Sequence, residues 1–222
     1  MKIGILGNGF VGSSVAFGFS AQTGCDVDDL KIYDKESSKS THTLSEVVND
    51  SDYIFLSVPT PSNSDGSISL DIIYNVFNEI HDVIDYEKDK QPIILLRSTV
   101  TPGTTRKLQL RFHNLNIVFN PEFLTERSAK FDFINQSRFI IGGKSEDCDK
   151  VEKLYKWRFG ESIPVIKTDY ETAEMIKYMN NCYFATKVSF MNEMKQIADE
   201  CDVDWEIAVD GFVLDGRIGH SH

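Results

Sequence analysis

The residues best suited by type and spacing to do chemistry begin at Gly7. Gly7, Gly9 and Gly12, with Asn8, Phe10 and Val11 between them, spell GNGFVG directly after the apolar residues 3–6. In a GxGxxG between strand and helix, the first glycine permits a tight turn and the second lets the backbone approach a pyrophosphate. The third lets the helix pack close to the strand, and the helix N-terminus favours the phosphate charge. An ordinary βα turn would share these glycines, so the acid downstream carries weight. Asp34 ends the strand-like residues 30–34, near the roughly 20-residue spacing at which an acid meets the adenosine ribose hydroxyls. A carboxylate there repels a 2′-phosphate and favours NAD over NADP, although Lys35 beside it leaves that choice open.

These groups need a scaffold, and the apolar pattern supplies one. Strands are expected at 3–6, 30–34, 53–58, 92–96, 116–119, 139–143 and 163–166, alternating with helices at 11–19, 45–49, 70–84, 104–112 and 146–159. This alternation implies an α/β fold, a Rossmann-like, doubly wound, mostly parallel sheet occupying residues 1–168. Ligands in such sheets bind outside the carboxyl ends of the strands. Those ends are 7–12, Asp34, 59–61, 98–103 and 120–126.

From Thr168 the pattern changes. Thr168 or Asp169 can cap a helix, Glu171 and Glu174 suit its positive end, and no Gly or Pro occurs from 169 to 209. One long helix to about residue 200 is expected, opening a second region at 169–222. Ile176, Tyr183, Phe190, Met194 and Ile197 form an apolar stripe too long for one small domain to cover, which predicts a homodimer through this helix. A further short helix is expected at 205–209.

The net charge of −11 over 222 residues repels nucleic acid and anionic membrane, so neither is an expected partner. No stretch approaches the roughly 20 apolar residues that span a bilayer, and the amino terminus does not read as a secretory signal. Cys25, Cys148, Cys182 and Cys201 are widely spaced, which suggests free thiols in a cytoplasmic protein. Cys182 and Cys201 are expected to pack in helices. His220 and His222, two apart with no third ligand, make a poor metal site, and no metal is expected.

In chain order, GNGFVG, VPTP (58–61), STV-x-PGT (98–104), NPEFL-x-E (120–126), E-x-x-K-x-x-x-N (174–181) and Asn192-Glu193 resemble the UDP-glucose/GDP-mannose dehydrogenase family. The resemblance spans essentially the whole chain. It implies oxidation of the C6 alcohol of a nucleotide sugar, with UDP-glucose the expected substrate, to a carboxylate by two hydride transfers to NAD. The cofactor would then be bound by residues 7–12, Asp34, Lys35, Pro59, Thr60, Ser98, Thr99 and Glu126, with Glu126 near the nicotinamide end. Thr99 would contact the reacting centre or its ordered water, and Glu122 would do acid–base work in thioester hydrolysis. Glu122, Phe123, Leu124, Lys177, Asn181 and Arg217 would meet the sugar nucleotide, Arg217 from a neighbouring subunit.

Lys177 and Asn181 share one helical face, and an ammonium with an amide suits a developing alkoxide or thiohemiacetal oxyanion. The bland reading of Lys177 is a surface ion pair with Glu174. Arg127 departs from the family, which usually has a small residue after the acid. The family's nucleophilic cysteine lies in a GFGG-x-C segment beyond residue 222, as does its second nucleotide-binding domain. The 222 residues are therefore expected to bind NAD without completing the reaction. A non-catalytic NAD-binding or dimerisation module is one alternative. A β-hydroxyacid dehydrogenase is another, although it would leave NPEFL-x-E and VPTP unexplained.

Overall fold

A computed structural model describes residues 1–25 and 27–219 of the chain. The elements run β1 (Lys2–Leu6), α1 (Phe10–Gly18), β2 (Asp29–Tyr33), α2 (Leu44–Asp50), β3 (Tyr53–Leu56), α3 (Asp71–Val83), β4 (Ile93–Leu96) and α4 (Thr104–Arg111). They continue with β5 (Asn116–Phe119), α5 (Ala129–Ile134), β6 (Phe139–Gly142), α6 (Ser145–Phe159), β7 (Val165–Thr168), α7 (Tyr170–Glu200) and α8 (Trp205–Val213). The strands form one sheet in the order β2-β1-β3-β4-β5-β6-β7. Every neighbouring pair is parallel except β5 with β6.

Helices cover both faces, which is why the central strands are apolar throughout rather than alternating. One face packs Val47, Val48, Ile73, Phe77, Ile80 and Leu108 against Ile54, Ile94 and Ile117. The other packs Val15, Phe19, Phe133, Val151, Leu154 and Tyr155 against Ile5, Phe55 and Leu95. Helix α1 approaches α5 at Gly18, where a Cβ would lie 2.2 Å from the Phe133 ring. Helix α2 begins with a capping box. Glu46 N–H donates to Thr43 Oγ1 at 3.3 Å, and Thr43 N–H donates to the Glu46 carboxylate at 2.7 Å.

The structure departs from the sequence pattern in three places. The last strand is Val165–Thr168 rather than 163–166, because Ile163 N–H closes a turn onto the Gly160 carbonyl and Pro164 has no N–H for the ladder. Helix α5 was not expected, being only six residues long. Helix α8 extends to Val213 through Gly211.

The chain divides into two compact units, Met1–Lys177 and Tyr178–His222, with α7 entering both. In the first, Asp169 caps α7 by accepting from Thr172 N–H at 2.8 Å, while Tyr170 and Ala173 join the core. In the second, Val203 N–H returns to the Ala198 carbonyl, with Asp202 left-handed at φ 54°. Asp204 then caps α8, and the Phe190 and Phe212 rings meet at 6.2 Å. Met179, Tyr183, Ile197, Ile207 and Leu214 are exposed on this unit. Cys182 and Cys201 are exposed as well, contrary to their expected packing role, whereas Cys25 and Cys148 are buried. No helix among the described residues is long and apolar enough to cross a membrane.

Candidate active site

The carboxyl ends of β1 to β5 gather along one edge of the sheet, and the turn after β1 lies among them. Gly7 has φ 88°, and a Cβ on it would lie 2.1 Å from the Ser57 carbonyl oxygen. A Cβ on Gly12 would lie 1.8 Å from the Gly7 carbonyl oxygen, so the helix can approach the strand only with glycine there. Gly9, the N-cap of α1, differs: a Cβ there would meet nothing within 4 Å, and no side chain caps the helix. Open space in front of uncapped helix N–H groups fits a dinucleotide pyrophosphate.

Asp34 stands at the end of β2, on the outer side of β1. Its carboxylate accepts from Asn8 N–H at 2.6 Å and from Glu36 N–H at 2.9 Å. A carboxylate offers about four acceptor positions, so room remains for ribose hydroxyls. The Asn8 amide donates to the Lys39 carbonyl at 2.9 Å, while Phe10 and Lys35 are exposed.

The ends of β3 and β4 lie on the other side of β1. Ser98 Oγ accepts from Val58 N–H at 2.9 Å and donates to the Val58 carbonyl at 2.7 Å, tying the two strand ends together. Thr60 Oγ1 donates to the Thr99 carbonyl at 3.0 Å, and Pro59 is exposed. These hydroxyls are thus engaged with backbone. The half-buried Thr99 hydroxyl makes no hydrogen bond to the described residues.

Beyond β5, Lys177 from α7 reaches the NPEFL segment. Its Nζ donates to the Glu122 carbonyl at 2.5 Å and to Glu122 Oε1 at 2.9 Å, and the residue is only 4% exposed. Leu124 N–H donates to Glu122 Oε2 at 2.7 Å. The Phe123 ring takes the Arg138 guanidinium at 4.7 Å and Lys177 Nζ at 5.3 Å. Lys177 is therefore neither a surface residue nor paired with Glu174. The Glu174 carboxylate is fully buried and accepts from Gly103 N–H, Thr105 N–H and Thr105 Oγ1 at 2.6, 2.7 and 2.6 Å. Burial pushes its pKa up despite these three donors.

Glu126 and Arg127 are exposed on the loop that follows. Asp132 anchors this loop, accepting from Thr125 N–H and Oγ1 at 2.7 Å each and from Ser128 Oγ at 2.9 Å. Burial alone would raise the Asp132 pKa, but these donors hold it below the ordinary carboxylate value. Asn181 is exposed on α7 in the second unit. Arg217, also in that unit, pairs with Asp215 at 2.5 Å and leaves its side chain 89% exposed.

Four residues that sequence reasoning passed over stand close to these groups. Arg97, buried between the Phe55 and Phe133 rings, donates to Asn120 Oδ1 at 2.6 Å, as does Tyr155 OH at 2.5 Å. Burial lifts the Tyr155 pKa to about 12, so it remains a donor. A charge ending the otherwise apolar β4 segment is the signal that could have exposed Arg97. Arg138 and Asp132 carry no comparable signal. No group of three or more metal-ligating side chains occurs among the described residues, and His220 and His222 lie outside them.

Residues 29–158 match the model of the NAD-binding domain of the UDP-glucose/GDP-mannose dehydrogenase family, and residues 171–222 that of its central domain. The chain is 36% identical to an uncharacterised protein of Methanocaldococcus jannaschii, over 100% of this chain and 28% of that protein. It is 30% identical to the UDP-glucose 6-dehydrogenase of Rickettsia conorii, over 100% of this chain and 57% of that enzyme. Among solved structures, GDP-mannose dehydrogenase from Pseudomonas aeruginosa superposes with a TM-score of 0.83 at 28% identity, covering 97% of this chain and 57% of that one. UDP-glucose dehydrogenase from Pyrobaculum islandicum gives 0.81 at 26% identity, covering 98% and 57%. The chain thus spans little more than half the length of such enzymes. Two successive domain models, matched in order over a fold that carries the dinucleotide turn, show that this chain belongs to the UDP-glucose/GDP-mannose dehydrogenase family and uses NAD.

Proposed function

We propose that the chain supplies the NAD-binding half and the central helix of a nucleotide-sugar 6-dehydrogenase that oxidises UDP-glucose to UDP-glucuronate. The observation that carries this reading is the geometry of Lys177. An ammonium has three donors, and two of them go to Glu122. The third is left for a substrate oxygen on which negative charge develops, and the low exposure of the pair strengthens that interaction. Asn181, four residues on in the sequence, is a further substrate contact in this reading.

NAD held by residues 7–12 and Asp34 would supply the hydride acceptor for the sugar carbon. The chain's own residues orient and move protons. Thr99 presents a hydroxyl free of other partners, and Glu122, hydrogen-bonded to Lys177, takes up or returns a proton. Glu126 belongs to the loop beside the nicotinamide end, and Arg217 is a substrate contact offered to a second subunit. The exposed apolar side chains of α7 support a homodimer, and widely spaced cysteines without metal-type clustering suit the reducing cytoplasm.

None of Cys25, Cys148, Cys182 and Cys201 lies in a GFGG-x-C setting, so these 222 residues are expected to bind NAD without forming the acid. Calorimetric titration with NAD, followed by addition of UDP-glucose or GDP-mannose while NADH is monitored, tests this. The expected outcome is NAD binding with no sustained turnover. No NAD binding, or steady NADH production, would overturn the reading.

A further inference from the structure

Helix α4 begins without a capping side chain, because its N-cap is Gly103 at φ 92°. The amides that a local cap would satisfy are instead taken by Glu174, 71 positions from Gly103 in sequence and on a different helix. A fully buried carboxylate at a helix N-terminus is favoured by the dipole, and three donors offset much of its desolvation. The preceding segment is fixed at its other end by Ser98, through both hydrogen bonds to Val58. Thr99 lies between these anchors, and its carbonyl is held by Thr60. One turn along α7, Lys177 holds the Glu122 segment in the same way. The first turns of α7 therefore set the heights of two strand-end loops through two buried charges of opposite sign.

We propose that Glu174 is a positioning residue of the dinucleotide site: by capping α4 from a distance it sets Thr99 against the nicotinamide half, and it has no part in binding the adenosine half. The strand order supports this division, since Asp34 at the end of β2 and Thr99 beyond β4 lie on opposite sides of β1. The inference rests on the dinucleotide reading of residues 7–12. In Glu174→Gln, one acceptor becomes an NH2 group that faces backbone donors, so the 101–105 segment loses its anchor while the Gly-rich turn is untouched.

The test compares NADH with ADP-ribose, which lacks the nicotinamide. In E174Q, NADH affinity is expected to fall about fivefold or more, with loss of the bound-state emission change of the nicotinamide. ADP-ribose affinity is expected to stay within about twofold of wild type. Thr105→Val removes one of the three donors and is expected to act in the same sense but more weakly, so it decides the matter if E174Q does not fold. Equal losses for the two ligands, or no change in either, would overturn the positioning role while leaving the dinucleotide site standing. A wild-type chain that binds neither ligand would overturn the dinucleotide reading and this inference with it.

Discussion

At the scale of single residues, Lys177 and Glu122 carry the most consequential electrostatics. Their side chains are 5% and 13% exposed and meet at 2.9 Å. Removing one partner of such a buried pair typically costs about 3–5 kcal/mol, because the other charge stays buried without compensation. Lys177→Met is therefore expected to lower the unfolding free energy read from urea curves by about that amount, with a lower midpoint, and adding Glu122→Gln is expected to restore part of it. A K177M midpoint equal to that of wild type would show that Glu122 finds water instead. This pairing was not legible in the sequence, because helical spacing offers Lys177 the nearby Glu174, whereas the partner chosen is 55 positions away. The glycines were legible, since each of Gly7 and Gly12 answers to a steric demand that the motif encodes in three letters. Ser98 and Thr60 stood out by their place at strand ends, but sequence could not show that their hydroxyls bind backbone.

At the scale of elements, the loop from Thr125 to Ser128 depends on Asp132 in α5, a helix too short to leave a periodic signal. The folded Asp132 carboxyl lies below its ordinary value of 3.8. Its stabilisation is thus present above the unfolded value and is lost as pH falls through the lower, folded one. The Thr125 amide resonance is expected to move during acid titration with a midpoint below 3.8, and Asp132→Ala is expected to reproduce the acid-form shift at neutral pH. A midpoint at or above 3.8 would mean that burial, rather than the Thr125 and Ser128 donors, governs this carboxyl. The longer elements were readable because several apolar residues repeat three or four apart, as Ile73, Phe77 and Ile80 do in α3. The position of β7 was not, because Pro164 and the turn at Gly160 shift the ladder by two residues without altering the apolar composition.

At the scale of the whole molecule, alternation of strands and helices foretold a parallel sheet, but nothing local foretold that β6 would run antiparallel to β5 or that α7 would serve the first unit's core. A sequence-based boundary falls naturally at Thr168, where strand gives way to helix. The compact unit seen in the structure runs to Lys177. Tyr170 is buried and donates its hydroxyl to the Ile117 carbonyl at 3.0 Å. Ala173 lies so close to β6 that a Cβ on Gly142 would come within 2.6 Å of its own Cβ. Glu174 and Lys177 then secure the loops beyond β4 and β5. A polypeptide ending at residue 168 loses all four of these contacts, while one ending at 177 keeps them. Losing a buried aromatic side chain alone typically costs about 3–5 kcal/mol, a large part of the roughly 5–15 kcal/mol that stabilises a domain. Residues 1–177 are therefore expected to unfold cooperatively in urea, with residues 1–168 markedly less stable or unfolded under the same conditions. Equal midpoints would place the boundary at Thr168 and reduce the first two turns of α7 to a covering that the sheet does not need.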